Sequence, residues 1–260
     1  LLELGPGNGL LSMDIYDYLK SKNVIVNDLT LLEKSEYFRE KILEKSEVKV
    51  NFIKNIYDYK IDNGDVVFIY SNEFFDAIGS KQFIYDNGNF NEIKISKNND
   101  EYLLIKDSTI ISRELLNIYS SYNFKDNDIL EHSNLILNIL SDIQKLEFKK
   151  YFFTTTDYGY TKLPFKSTLR LLSNHKKLNL FDKFENVDYS FGVNFELMNS
   201  FFLKNNPSII YQKDLILNNL PSEYLKSSDK NIKEMIDLIS GKKFGGMGTS
   251  FLNLSFKKNE

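Results

Sequence analysis

Three glycines near the start of the chain have a spacing that could hold a ligand against the backbone. Gly5, Gly7 and Gly9 follow a short apolar segment, residues 1–4, which is typical of the end of a buried strand. Glycine permits positive φ and, having no Cβ, lets a ligand approach the main chain. A helix predicted over about residues 10–20 would direct its unpaired N–H groups and positive dipole end at this turn. We therefore expect the turn to bind a polar or anionic group.

The spacing of these glycines distinguishes between the known glycine-rich motifs that bind nucleotides and cofactors. The dinucleotide fingerprint G-x-G-x-x-G needs a third glycine where this chain has Leu10, and no P-loop lysine follows. Glu3 precedes the first glycine by two positions, and the pattern E-x-G-x-G-x-G resembles motif I of class I S-adenosylmethionine-dependent methyltransferases. The resemblance implies that Glu3 and the three glycines bind this cofactor, with Glu3 facing its methionine ammonium directly or through water.

Two residues at the ends of the next predicted strands could bind a nucleoside. Glu33 ends strand two, where a carboxylate can accept hydrogen bonds from both ribose hydroxyls. Its alternative role is a solvated helix cap. Ile56 follows strand three, where an adenine could be sandwiched, although Ile56 could equally be a plain core residue.

A second cluster of polar residues follows the most apolar strand of the chain. Residues 65–70 predict a central parallel strand, and Asn72, Glu73 and Asp76 come directly after it, beside two phenylalanines. Polar side chains at the carboxyl edge of a parallel sheet often face a ligand. The alternative is a helix cap formed by the Asn-Glu pair over buried aromatic rings. Asp157 and Tyr158 occupy the same position after the next predicted strand, residues 151–156.

Composition excludes several function classes. The net charge is −3 with both signs interspersed, so we expect no nucleic-acid partner, because no basic block exists to neutralise phosphates. The chain has no cysteine and 2 histidines, which leads us to predict no metal site and no disulfide. No apolar run approaches the about 20 residues of a membrane helix, so we expect no membrane insertion.

The order of the predicted elements indicates an α/β fold with an insertion. Strands and helices alternate over residues 1–80, which we assign to the first part of the cofactor-binding domain. Residues 81–150 begin with short antiparallel strands around the turn at Asn87 and Gly88, and continue with predicted helices. We interpret this segment as a substrate-facing cap. Within it, His132 has no evident partner and is expected at the surface. Residues 151–260 complete the sheet.

Several short blocks in the right order closely resemble the MidA-type S-adenosylmethionine-dependent methyltransferases. This family includes the mitochondrial protein-arginine methyltransferase of complex I assembly. The blocks are Glu3-Leu4-Gly5-Pro6-Gly7, Leu32-Glu33-Lys34-Ser35, Asn72-Glu73-Phe74-Phe75-Asp76-Ala77, Asp157-Tyr158-Gly159, Thr168-Leu169-Arg170 with His175, Asp188, Phe195, Gln212, and Met247-Gly248 with Phe251.

The resemblance implies a class I methyltransferase (Rossmann-like) fold. Its mostly parallel sheet would have helices on both faces and an inserted antiparallel and helical cap. It also implies methyl transfer from S-adenosyl-L-methionine to an arginine of a protein substrate, expected to be a respiratory complex I subunit. The compartment would be the cytoplasm of a bacterium or the mitochondrial matrix of a eukaryote.

For such a methyl transfer we expect the following roles for the polar residues. Asn72, Glu73 and Asp76 would be catalytic, with Asn72 also contacting the cofactor. We expect Glu73 and Asp76 to hold the guanidinium and to relay its proton. Asp157, Tyr158 and His175 would bind the substrate.

The sequence departs from the family pattern at three positions. Asn8, Gly79 and Asn194 stand where the family usually has arginine, proline and aspartate. The family's region before strand one is not in this chain, so we expect weak cofactor binding. A non-catalytic assembly factor built on a methyltransferase fold, and a small-molecule methyltransferase, remain the alternatives.

Overall fold

The structure is a computed structural model of the 260-residue chain. It describes residues 1–60, 66–99, 101–108, 117–174, 176–182, 186–241 and 247–258. The predicted substrate-binding residue His175 lies outside the described residues, as do parts of the predicted cap. Within the described part of the chain, no helix is long and apolar enough to cross a membrane.

The main sheet is mixed and mostly parallel. Along it the strands lie in the order β14-β15-β9-β4-β1-β2-β3, and β13 pairs with β9 beside this path. Strand β15 runs antiparallel to both of its neighbours. The bounds are β1 Leu2–Leu4, β2 Thr30–Leu32, β3 Asn51–Ile53, β4 Val67–Asn72, β9 Tyr151–Tyr160, β13 Val193–Asn194, β14 Ser208–Tyr211 and β15 Phe251–Lys258.

Two smaller antiparallel sheets accompany the main sheet. One has the order β7-β6-β5-β8 and comes from the predicted cap, and the other has the order β11-β10-β12. Their bounds are β5 Lys81–Asp86, β6 Asn89–Asn98, β7 Glu101–Asp107, β8 Ile129–His132, β10 Arg170–Ser173, β11 Lys176–Lys177 and β12 Asp188–Ser190. The hairpin predicted at Asn87 and Gly88 is confirmed by the pairing of β5 with β6.

The described helices follow the pattern of apolar residues along the chain. They are α1 Leu10–Ser21, α2 Glu36–Lys45, α3 Asn134–Gln144, α4 Phe195–Phe201, α5 Gln212–Asn219, α6 Ser222–Leu225 and α7 Lys230–Ile239. Short 3-10 helices span Ile56–Asp58, Leu203–Asn205 and Met247–Thr249. The side chains of Ser35, Ser133 and Asn194 cap α2, α3 and α4 by accepting a backbone N–H from the first turn.

Helices cover both faces of the main sheet, because successive strand residues point to opposite faces. Leu2 and Leu4 of β1 pack into the larger core with Leu140 and Ile143 of α3. On the other face, Leu31 of β2 belongs to a second core with Ile42 of α2 and Met13 of α1. This arrangement agrees with the predicted α/β class.

Helix α3 belongs to the predicted cap in sequence but packs on the main sheet. Leu140 and Ile143 are fully buried in the larger core. The division of the chain into domains at residues 81 and 150 therefore stays a prediction. In the structure, α3 packs with the main domain.

The expectation that His132 lies at the surface is wrong. Its side chain is buried, and its ring nitrogens are within hydrogen-bond distance of the Tyr119 hydroxyl and the Asn134 amide oxygen. The side chain thus links β8 to the start of α3.

The aromatic cluster beneath β9 and β15 should dominate stability. Phe202 lies with its ring centroid 4.5 Å from that of Phe256 and 5.7 Å from that of Phe153, and it is fully buried. We expect Phe202→Ala to lower the free energy of unfolding by about 3–5 kcal/mol, since it leaves a cavity. The neighbouring Leu203 is 60% exposed, so Leu203→Ala should change it by less than about 0.5 kcal/mol. Urea unfolding of both variants measures the difference.

Candidate cofactor and active site

The glycine turn joins β1 to α1, and each glycine has a different environment. All three have positive φ: 66° at Gly5, 53° at Gly7 and 77° at Gly9. A Cβ on Gly5 would lie 2.4 Å from the Phe74 ring, and one on Gly9 would lie 2.9 Å from the Ile42 side chain. A Cβ on Gly7 would meet nothing within 4 Å. Gly5 and Gly9 are thus required by close packing, whereas Gly7 leaves open space above the turn.

A cavity of about 460 Å³ adjoins this turn along the carboxyl ends of three parallel strands. Gly5 lines it after β1, Glu33 after β2, and Ile56 after β3, so the structure brings these three predicted residues together. The segment after β4 closes one side through Phe74 and Ile78. Helix α3 forms part of the opposite wall.

One carboxylate oxygen of Glu33 accepts a hydrogen bond from a neighbouring residue of the chain. Its Oε1 accepts the Ser35 N–H at 2.7 Å, just before α2, and its backbone oxygen accepts hydrogen bonds from Arg39. Glu33 is nevertheless one of the residues that line the cavity. Ribose binding by Glu33 remains a prediction that this position supports.

Glu3 points away from the cavity, towards α1. It accepts a hydrogen bond from the Ser12 hydroxyl, which also lies 2.9 Å from the hydroxyl of Tyr70 on β4. Burial raises the pKa of Glu3 to about 7, and the hydrogen bonds from Ser12 and Tyr70 oppose that shift. Ser12 and Tyr70 were missed in the sequence because neither belongs to a motif. A ligand contact by Glu3 stays a prediction.

The segment after β4 holds the second predicted cluster. Asn72 and Glu73 are exposed, and neither lines the cavity. Glu73 has a φ of 50°, which is strained for a residue with a Cβ, and strain of this kind is concentrated at functional sites. Asp76 is buried next to them.

Asp157 binds the backbone of the segment after β4 through its side chain. Its Oδ1 accepts the backbone N–H groups of Phe75 at 3.0 Å and Asp76 at 3.2 Å, and its Oδ2 accepts the Thr155 hydroxyl at 2.7 Å. The side chain is fully buried. Burial raises the pKa of Asp157 to about 8, and the charge of Asp76 raises it further. Asp157 therefore bonds to the protein backbone through Oδ1 and to a side-chain hydroxyl through Oδ2.

Asp76 lies among other charges. Burial raises its pKa to about 6, and the negative charges of Glu73 and Asp188 act in the same direction. The positive charge of Arg170 opposes them. The Phe191 N–H donates to the Asp76 backbone oxygen at 2.9 Å, which ties the small sheet containing β10 and β12 to this segment.

Tyr158 follows Asp157 in β9, and its ring contacts the side chain of Arg170. The guanidinium carbon of Arg170 is 3.5 Å from the centre of the Tyr158 ring, which is a cation–π contact. Arg170 begins β10, and in the sequence only the family resemblance pointed to it. A substrate contact by Tyr158 stays a prediction, and so does one by His175.

Comparisons with known proteins identify the family. A family model described as "putative S-adenosyl-L-methionine-dependent methyltransferase" matches residues 1–209. The chain belongs to this methyltransferase family. No curated protein matches the sequence.

Solved structures share the fold of this methyltransferase. An uncharacterized protein from Burkholderia thailandensis aligns with a TM-score of 0.78 at 15% identity, covering 98% of this chain and 72% of that chain. A second Burkholderia thailandensis structure, bound to S-adenosyl-homocysteine, aligns with a TM-score of 0.75 at 15% identity, covering 98% and 70%. These likenesses confirm the predicted class I fold.

The predicted cofactor is S-adenosyl-L-methionine, and the family assignment supports it. The residues present fit this group. The cavity runs from Gly5 past Glu33 to the apolar Ile56. Gly7 and Gly9 do not line it, but a Cβ on Gly7 would meet nothing within 4 Å, so a ligand can approach the main chain there. Within the described ranges, no three histidine or acidic side chains converge to hold a metal.

The open space above Gly7 predicts a specific role in binding. Gly7→Ala should weaken the binding of S-adenosyl-homocysteine at least about tenfold, because a Cβ would occupy the approach to the turn. Gly88 provides the matched control: it also has positive φ, and a Cβ there meets nothing within 4 Å. Gly88→Ala should cost similar stability without changing affinity. Calorimetric titration of both variants would contradict this role if they bound equally well.

The burial of Asp157 predicts a pH-dependent cost to stability. Its pKa in the folded protein lies above the ordinary 3.8, so the folded protein binds this proton more tightly than the unfolded chain does. The carboxyl group therefore costs nothing below about pH 4 and an increasing amount as pH rises to about 8.

Asp157→Asn should remove this cost while keeping an acceptor for the two backbone N–H groups. Over that pH range, we expect the variant to gain on the order of a few kcal/mol relative to the original protein. Urea unfolding at pH 5 and pH 8 measures it. Asp17→Asn, at an exposed site on α1, should show no such trend. A constant difference between the two proteins at both pH values would contradict the prediction.

Proposed function

We propose that this methyltransferase transfers a methyl group to an arginine of a protein substrate, expected to be a subunit of respiratory complex I. The observation that carries the proposal is the buried carboxyl group of Asp76 after β4, on which the negative charges of Glu73 and of Asp188, from β12, both act. The segment that carries Glu73 and Asp76 also lines the cavity through Phe74 and Ile78. The resemblance to the MidA-type family supports arginine as the acceptor.

A group of carboxylates favours a cationic substrate. Arginine remains protonated in proteins, and its planar fork of donors matches carboxylate oxygens in a bidentate manner. Binding by Glu73 and Asp76 would hold the guanidinium in one orientation towards the cavity. Much of the rate enhancement would then come from positioning the nucleophilic nitrogen in line with the methyl group.

Asp76 is suited to receive the proton that the guanidinium loses. When bound, the cofactor supplies a sulfonium methyl group, whose bond to sulfur breaks as the bond to the arginine nitrogen forms. With a pKa of about 6, Asp76 is mostly ionised at pH 7 and can accept the nitrogen's proton. Glu73 is exposed and would contact the substrate first. The neighbouring Asn72 would help to hold the substrate there.

Asp157 acts in this proposal as a positioning residue. It fixes the backbone of Phe75 and Asp76, and so the direction in which the Asp76 carboxylate points. Tyr158 contributes the aromatic face against which the Arg170 guanidinium is stacked.

A non-catalytic binding platform is the second candidate function. One observation favours it: four consecutive apolar residues of β7 are 44–52% exposed, which would suit protein docking. They are Tyr102, Leu103, Leu104 and Ile105. Calorimetric titration with S-adenosyl-L-methionine separates the two candidates, since a platform need not bind it. A small-molecule acceptor would instead show methyl transfer without any protein product.

Mass spectrometry tests the acceptor directly. Complex I subunits from cells lacking this protein should have lost an arginine methylation that the native gene restores. An Asp76→Asn gene should fail to restore it, whereas a gene carrying Asp126→Asn, at an exposed site on the cap, should succeed. Unchanged methylation of all subunits after deletion would rule out complex I as the substrate.

The pH dependence of the rate tests the role of Asp76. Methyl transfer to unmethylated complex I should increase as pH rises through about 6 and then level off, because the ionised carboxylate is the proton acceptor. Asp76→Asn should lower kcat by about 10²–10⁴ and abolish this step in the profile. A variant that kept the step would assign it to another group.

A further inference from the structure

Helix α3 presents a regular set of residues to the cofactor cavity. Leu135, Asn138, Ile139 and Asp142 all line it, and their spacing places them on one face of the helix. The helix itself is held firmly, because Leu140 and Ile143 are buried in the main core. Asn138, which is exposed, and Asp142, which is half-buried, therefore extend from a rigid helix into the cavity.

Asp142 lies at the β3 end of the cavity. The hydroxyl of Tyr57 donates a hydrogen bond to its Oδ1, and Tyr57 belongs to the 3-10 helix that follows β3. Ile56 precedes Tyr57 and is buried with its side chain on the cavity wall. The glycine turn, Glu33 and Ile56 follow neighbouring strands in the order β1, β2, β3. The base of a nucleoside whose ribose is near Glu33 would therefore extend towards Asp142.

We propose that Asn138 and Asp142 form the subsite that reads the adenine edge of the cofactor. Adenine presents an amino group, which donates two hydrogen bonds, next to ring nitrogens, which accept them. A carboxylate can only accept, and an asparagine amide can both accept and donate, so the pair is complementary to that edge. Ile56 supplies the apolar surface for the face of the ring.

The other polar residues at this end are less suited to the amino group. Lys54 lines the same region, but an ammonium group has only donors. The amide nitrogen of Asn55 is directed to Asp58 at 3.4 Å. The Tyr57 hydroxyl donates to Oδ1 of Asp142, and we assign Oδ2 of the same carboxylate to the ligand.

The test compares two ligands that differ at this edge. S-inosyl-homocysteine has a carbonyl oxygen in place of the adenine amino group, and its N1 carries a hydrogen where the adenine N1 is an acceptor, so both positions of this edge reverse their hydrogen-bonding roles. In calorimetric titrations, the original protein should prefer the adenosyl ligand on the order of tenfold to a hundredfold, because a carboxylate facing a carbonyl oxygen loses its donor.

Variants then assign the preference to these residues. Asp142→Ala and Asn138→Ala should each weaken binding of the adenosyl ligand by about tenfold while changing the inosyl ligand little, so the preference collapses. Tyr57→Phe leaves the helix packing untouched and should reduce the preference by a smaller factor. Glu147→Gln, at an exposed acid just beyond α3, is the matched control and should keep it. Urea unfolding of each variant verifies that the fold is retained.

Equal affinity of the original protein for the two ligands would overturn the proposal. So would a full preference in Asp142→Ala and Asn138→Ala proteins that remain folded. The proposal depends on the cofactor and not on the acceptor. Its failure is therefore distinguishable from a failure of arginine methylation, which is read from complex I subunits.

Discussion

The parallel, in-register pairing of β1 with β2 and β4 is the constraint on which the rest of the structure depends. Leu4 lies opposite Leu32 on one side and Ser71 on the other, so these strands end at the same level. Every parallel strand leaves its last backbone groups and the following loop at this edge. The glycine turn, Glu33 and the acidic segment after β4 thus meet although they are far apart in sequence.

Close packing at this edge links the cofactor turn to the acidic segment. Gly5 approaches the Phe74 ring so closely that no side chain fits between them. Phe74 in turn stands at the start of the segment that Asp157 holds through two backbone N–H groups. The position of the carboxylates is therefore coupled to the position of the turn. In the proposed function, this coupling would set the distance between the acceptor nitrogen and the methyl group.

Buried polar groups achieve this positioning at a cost to stability. Glu3 and Asp157 are both buried carboxyl groups with raised pKa values, and both are satisfied by hydrogen bonds from neighbouring elements. An unsatisfied carboxyl in these places would be far more costly, because the interior cannot replace water. Glu3 secures α1 against the sheet through Ser12, and Asp157 secures the segment after β4.

The sequence by itself determined the fold class, the cofactor class and the residues at the strand ends. These follow from local patterns: apolar strands, a glycine turn before a helix, and polar residues directly after each strand. It could not place Glu3 behind α1, bury His132, or bring α3 from the predicted cap to the cofactor cavity. Which face a side chain occupies, and which distant helix covers it, depends on packing between elements. Only the tertiary structure decided those contacts, because they join residues with no local relation in the chain.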